Sequence, residues 1–340
     1  MTPPLAADLD FILERTRDLW EEVRGERIFI TGGTGFFGRW LLESFCWINR
    51  RLSLGATVLV LSRTPRLAED PAVHFHPGDV RSFDYPDGSF SHIIHAATSS
   101  AAQVNPLEMF ETIVQGTRRT LDFANERKCR KFLLTSSGAV YGVQPPEITH
   151  IPETFPGAPD TLNSGSVYGE GKRAAELLCG VYHQLYGIDT KIARCFAFAG
   201  PHLPLDAHFA IGNYVRDALA GGPITVNGDG TPYRSYLYAA DLMIWLWTIL
   251  FAGAACRPYN VGSDDGRDIK AIAETVARCI HPSAEIRIMK PPSDSTPSRY
   301  VPATGRALAE LGLRTEITLE AAILRWVEFI RGYTMNGVPP

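Results

Sequence analysis

Tyr168 and Lys172 stand four residues apart in a stretch, 166–186, whose apolar positions recur with the period of a helix. On a helix that spacing brings both side chains to one face, about 5 to 6 Å apart at Cβ. An ammonium there lowers the pKa of a phenol and equips it as a general acid or base. The same pair also fits a surface tyrosine beside a lysine, so it gains meaning only from its company. One companion is Thr135-Ser136-Ser137-Gly138-Ala139-Val140-Tyr141-Gly142, which closes the apolar run 131–136. At the carboxyl end of a parallel strand a serine hydroxyl can share a hydrogen bond with a substrate oxygen. The other is Thr31-Gly32-Gly33-Thr34-Gly35-Phe36-Phe37-Gly38. Glycines at 32, 35 and 38 permit a tight turn, let backbone approach a pyrophosphate and allow close helix-to-strand packing, and a helix start offers unpaired N–H groups to the anion. The strand-like run 27–31 before the loop and the helix-compatible stretch 39–52 after it supply the context that a dinucleotide site requires.

The second apolar run ends Leu61-Ser62-Arg63. Folds that bind NAD usually place an acidic residue there for the ribose 2′-hydroxyl, whereas an arginine meets a 2′-phosphate. With Arg39 also near the glycine loop, Ser62 and Arg63 favour NADP(H) over NAD(H); the alternative is that either arginine is a solvated surface residue.

These groups need elements to hold them. Short apolar or β-branched runs at 27–31, 57–62, 92–96, 131–136 and 191–196 alternate with helical stretches. That alternation predicts an α/β fold, a Rossmann-type doubly wound parallel sheet with helices on both faces. After about residue 197 the chain becomes richer in Gly and Pro, with turns at Asn227-Gly228-Asp229-Gly230 and across 290–297. The expected organisation is an N-terminal helical extension (1–25), a dinucleotide-binding domain (26–197) and a smaller substrate-binding lobe (198–340), some segments of which can return to the sheet. In the extension, Leu9, Ile12, Leu13, Leu19, Trp20 and Val23 share one helical face, with Asp8 as its cap and Gly25 as its end. That helix is expected to pack on the outside of the body.

A net charge of -4 and the lack of a basic block argue against nucleic acid or an anionic membrane as partner. Acidic and basic residues in the first fifteen positions interrupt any signal-peptide core. The longest apolar run, 242–256, is shorter than the roughly 20 residues of a membrane span and reads as a buried helix. Six scattered cysteines, none in a C-x-x-C pair, predict no metal site, no disulfide framework and a cytoplasmic location.

The glycine loop, the serine-bearing strand end and the Tyr/Lys pair, in that order, make residues 27–330 resemble the extended short-chain dehydrogenase/reductase family, in its nucleotide-sugar epimerase, dehydratase and reductase branch. The resemblance implies that Tyr168 moves the proton of a sugar hydroxyl, that Lys172 holds the nicotinamide ribose and tunes the tyrosine, and that Ser137 orients the reacting oxygen. It implies adenine contacts from Asp79 and Val80, and a cofactor wall from Ala96, Ala97 and Thr98 after the fourth strand. His95 before them also fits a satisfied strand-end histidine and receives no proton-transfer role. Arg234, in Thr231-Pro232-Tyr233-Arg234-Ser235-Tyr236, and Arg299, in Ser298-Arg299-Tyr300-Val301-Pro302, resemble the arginines that grip the substrate diphosphate through a planar fork of donors. The implied partner is a nucleotide-diphosphate sugar, and the implied assembly a homodimer through the helices at 105–127 and 166–187.

Departures from the pattern narrow the chemistry. Dehydratases of this kind usually carry acidic residues after the catalytic hydroxyl; Gly138 and Ala139 cannot transfer a proton, which disfavours a 4,6-dehydratase. Ile113 and Ala197 each stand where an asparagine is usual. The expected activity is a 4-ketoreductase using NADPH, with a 4-epimerase that retains NAD as the alternative. A sensor that binds the cofactor without turnover is the reading from a different class.

Overall fold

The computed structural model describes residues 5–65, 69–98, 105–207, 209–291 and 295–335. Residues 292–294 of the expected turn at 290–297, and the outermost residues of the first and last expected segments, lie outside the described residues.

Seven parallel strands form the central sheet. They are β1 (Arg27–Thr31), β2 (Thr57–Ser62), β3 (Val73–Pro77), β4 (His92–His95), β5 (Lys131–Ser137), β6 (Asp189–Cys195) and a closing strand, Pro258–Val261. Their order is Pro258–Val261, β6, β5, β4, β1, β2, β3. Strands buried on both faces read as apolar runs, and Ile28, Phe29 and Ile30 of β1 are fully buried. The five runs expected from sequence all become strands, the first two with the expected bounds. The edge strand β3 was not expected: it reads Val-His-Phe-His-Pro and is only partly covered, so it lacks the apolar signature of an inner strand.

The helices are α1 (Ala6–Thr16), α2 (Phe36–Leu52), α3 (Pro106–Glu126), α4 (Val167–Tyr186), α5 (Ala210–Leu219), α6 (Ala239–Ala252), α7 (Ile269–Ile280), α8 (Gly305–Leu311) and α9 (Leu319–Met335). In α6 every residue from 239 to 251 is buried, and Trp247 donates from its indole to Ser44 Oγ at 3.0 Å. Among the described residues no helix is long and apolar enough to cross a membrane. Beyond β6, Pro258–Val261 alone among the described residues joins the central sheet; the rest of the Gly/Pro-rich part forms small two- and three-stranded pairings.

The N-terminal extension is integral to the core. Leu9, Ile12, Leu13, Trp20 and Val23 are all buried, and the Trp20 ring lies 4.7 Å from that of Trp247. Asp8 does not cap α1; Leu5 occupies that position without a side-chain bond. The Asp8 carboxylate instead accepts from the Tyr238 hydroxyl at 2.6 Å and from Arg325 at 2.5 Å. Spacing alone located an acidic residue near the helix start but not the tertiary partners that take its oxygens. Asp8→Ala leaves the buried Tyr238 hydroxyl without its acceptor, at a cost of about 2 kcal/mol. Thermal unfolding of that variant is expected at a midpoint a few degrees lower, with Asp8→Asn losing less; an unchanged midpoint for both would show that the carboxylate contributes nothing.

Candidate active site

The strand order reverses direction between β1 and β4, and ligands of open α/β sheets settle over the carboxyl ends at such a point. A cleft of about 1130 Å³ opens there. It is lined by the glycine loop, the end of β2, the segment after β4, the Ser137 strand end, Tyr168, Lys172 and, from the opposite side, Arg234 and Tyr300.

The loop glycines have separable reasons. Gly32 has φ +76, and a Cβ on it would stand 2.6 Å from the Ala96 carbonyl carbon, because β1 and β4 are neighbours with Thr31 opposite His95. A Cβ on Gly38 would lie 2.3 Å from the Gly32 oxygen, so this glycine permits α2 to sit on the turn. At Gly35 the nearest atom would be 3.6 Å away, so nothing in the protein crowds it. Gly35 precedes α2 without a side-chain cap and lines the cleft, leaving the first N–H groups of the helix for an anion. The Thr98 hydroxyl oxygen, also at the cleft, is buried and has no partner among the described residues. These features fit a dinucleotide.

Phe36, Phe37, Ser62, Arg63, Asp79, Val80, Ala96, Ala97 and Thr98 all line the cleft, whereas Gly38 lies beneath the loop. Ser62 Oγ accepts from the Thr64 N–H at 3.2 Å and shapes the turn that presents Arg63. Both Asp79 oxygens are engaged by Arg81 at 2.9 Å, which holds that carboxyl below its ordinary range. His95 is enclosed between the Thr31 and Thr117 hydroxyls, 2.9 and 3.1 Å away, and burial pushes its pKa down to about 3. It is a neutral structural histidine.

Ser137 ends β5, and its oxygen accepts from the Ala139 N–H at 3.1 Å, so its hydroxyl hydrogen is left to donate elsewhere. Tyr168 lies in the first turn of α4 and Lys172 one turn later. Lys172 is buried, and its ammonium donates to the Thr135 carbonyl at 2.8 Å. Burial pushes its pKa down to about 8. The Tyr168 phenol is pushed up to about 12 by burial, with the Ser137 hydroxyl partly offsetting this. The acidification expected from helical spacing is therefore absent in the protein alone: desolvation exceeds the effect of an ammonium that faces Thr135 and lies 5.8 Å from the centre of the tyrosine ring.

The two diphosphate arginines part company. Strand pairing sets Tyr300 opposite Arg234 and Arg299 opposite Tyr233. Successive side chains of a strand face opposite ways, so Arg234 and Tyr300 line the cleft, while Arg299 does not and lies over the Tyr233 ring at 4.0 Å. Sequence reasoning quoted Tyr300 only as a neighbour of Arg299; alternation along the strand was the signal that separates them. It also passed over Tyr214 and over Phe196 and Phe209, the two phenylalanines being apolar lining whose sequence carries no chemistry of its own. Ala197 lines the cleft, whereas Ile113 is buried and packs near Gly171 between α3 and α4.

A profile of the NAD dependent epimerase/dehydratase family matches residues 28–262. UDP-glucuronic acid decarboxylase 1 of Arabidopsis thaliana is 30% identical over 321 residues, spanning 91% of this chain and 71% of that protein. UDP-glucose 4-epimerase of Thermotoga maritima, solved with UDP-glucose, shares the fold with a TM-score of 0.77 at 19% identity, over 91% of this chain and 99% of that one. UDP-glucose 4-epimerase of Thermus thermophilus, solved with NAD, has a TM-score of 0.74 at 25% identity, over 90% and 99% of the two chains.

Proposed function

The chain belongs to the NAD-dependent epimerase/dehydratase family, and from that premise we propose that it oxidises or reduces C4 of the sugar in a nucleotide-diphosphate sugar. The observation that carries this reading is the convergence of the glycine loop, Ser137, Tyr168 and Lys172 on one cleft. The glycine loop and the start of α2 hold the pyrophosphate of a nicotinamide dinucleotide, Asp79 and Val80 its adenine end, and Lys172 its nicotinamide ribose. The dinucleotide, when bound, supplies the hydride donor or acceptor. Ser137 donates its hydroxyl hydrogen to the reacting sugar oxygen, and Tyr168 takes or returns that oxygen's proton. Arg234 pairs with the substrate diphosphate. Residues 26–197 then serve the dinucleotide and 198–340 the sugar nucleotide, with Pro258–Val261 rejoining the sheet of the former.

Within this chemistry we favour reduction, a 4-ketoreductase using NADPH. Arg63 lines the cleft and forms no ion pair among the described residues, while Asp79 is already taken by Arg81, which leaves Arg63 for a 2′-phosphate. A 4-epimerase that keeps NAD bound is the second reading, favoured by the likeness to a 4-epimerase solved with NAD. Gly138 and Ala139 offer no acid or base for eliminating water. Incubating the protein with UDP-glucose, UDP-glucuronic acid, dTDP-glucose and 4-keto-6-deoxy derivatives, each with NADPH, NADH or no added cofactor, tests the choice by product mass and stereochemistry. Consumption of NADPH with a 4-keto sugar supports reduction. Stoichiometric, tightly held NAD with inversion at C4 overturns it.

Arg63→Asp removes a charged hydrogen bond to a 2′-phosphate, a loss of about 1.5–3 kcal/mol. The ratio of NADPH to NADH affinity is therefore expected to fall by about 10- to 100-fold in a fluorescence titration. An unchanged ratio removes the argument for NADP.

A further inference from the structure

We propose that Tyr300 is a second catalytic phenol, donating a hydrogen bond to the same reacting sugar oxygen that Ser137 addresses; this rests on the C4 chemistry proposed above. Its hydroxyl lies 3.5 Å from Ser137 Oγ and 3.5 Å from the Cys195 carbonyl. Both contacts are at the long limit of hydrogen bonding, so the donor is only weakly committed within the protein. The ring is held in place: it packs 4.7 Å from Phe196, and the strand register that turns Arg299 onto Tyr233 turns Tyr300 into the cleft beside Arg234. The residue after Ser137 fits this arrangement. A Cβ at Gly138 would stand 2.8 Å from the Tyr300 hydroxyl and 2.7 Å from the Phe196 ring, so the phenol fills the space that a side chain at 138 would need. Gly138 and Ala139 bring no proton-bearing group to this corner, and Tyr300 brings one from the opposite lobe. Two phenols then flank one serine: Tyr168 exchanges the proton, and Tyr300 stabilises charge on the oxygen without changing its own protonation.

Tyr300→Phe keeps the ring and removes the donor. With whichever sugar of the panel above the wild type turns over, kcat is expected to fall about 10- to 100-fold, with KM for the sugar nucleotide within about twofold and dinucleotide affinity and melting temperature unchanged. Gly138→Ala, which displaces the phenol without deleting it, should lower kcat in the same direction. Undiminished kcat in Tyr300→Phe, or a loss carried wholly by KM or by melting temperature, overturns the proposal while leaving the C4 chemistry standing, provided that Tyr168→Phe is inactive. A wild type inert towards the whole panel overturns both.

Discussion

Tyr168→Phe is expected to lower turnover by about a thousandfold while leaving the affinity for dinucleotide and sugar nucleotide near that of the wild type. The substitution deletes one oxygen and keeps the ring, which packs against the buried cluster containing Ile113, Ala175 and Cys179. Positioned general acid–base groups contribute about 10²- to 10⁴-fold, and the phenol is the group placed to exchange a proton beside Ser137. Burial holds this phenol near pKa 12 in the protein alone. In the reduction proposed above the phenol starts protonated and gives its proton to the sugar oxygen, a role that this high pKa suits; in the oxidative direction the positive charge of an oxidised nicotinamide ring beside it would favour the phenolate. The measurement is kcat and KM with any sugar of the panel that the wild type turns over, alongside dinucleotide titration of both proteins. A variant that binds as before and turns over as before would leave a cofactor sensor as the better description, since a sensor has no use for the proton.

Much of this site is legible in the sequence, for reasons that differ by element. The inner strands announce themselves because burial on both faces demands continuous apolar runs, as in Arg27–Thr31 and Thr57–Ser62. The glycine loop is legible because Gly32 needs a positive φ and Gly38 a missing Cβ, constraints that only one residue type meets. Tyr168 and Lys172 share a helical face by spacing alone, but where the ammonium points and how burial acts on each group depend on β5 and β6, which lie far away in sequence. The same limit explains Asp8, whose partners come from residues 238 and 325. Arg299 and Tyr300 show a failure of another kind: the segment was recognised, but the face of the strand was not assigned. Composition placed α6 in the interior correctly because an all-round apolar helix of that length has no other place in a folded domain.

Replacing Lys172 with methionine is expected to separate activity from stability. An apolar chain of similar length fills the buried site, but the cation proposed to hold the nicotinamide ribose is lost, so kcat/KM should fall by about 10²- to 10³-fold and dinucleotide should bind more weakly. Stability follows a different course. Folding lowers the lysine pKa from 10.5 to about 8, so between those values the unfolded chain carries more protons than the folded one. Unfolding free energy from this group therefore rises with pH across that window and is flat below it, where both states are protonated. The folded protein at neutral pH thus bears a desolvation cost on the order of 3 kcal/mol, partly returned by the bond to the Thr135 carbonyl. The methionine variant lacks both contributions. Chemical denaturation of the two proteins at a series of pH values from 7 to about 10 should show the difference in their unfolding free energies moving in favour of the lysine form as pH rises. A difference independent of pH would mean that Lys172 is as readily protonated in the folded protein as in water, and the desolvation assigned to its buried ammonium would have to be abandoned.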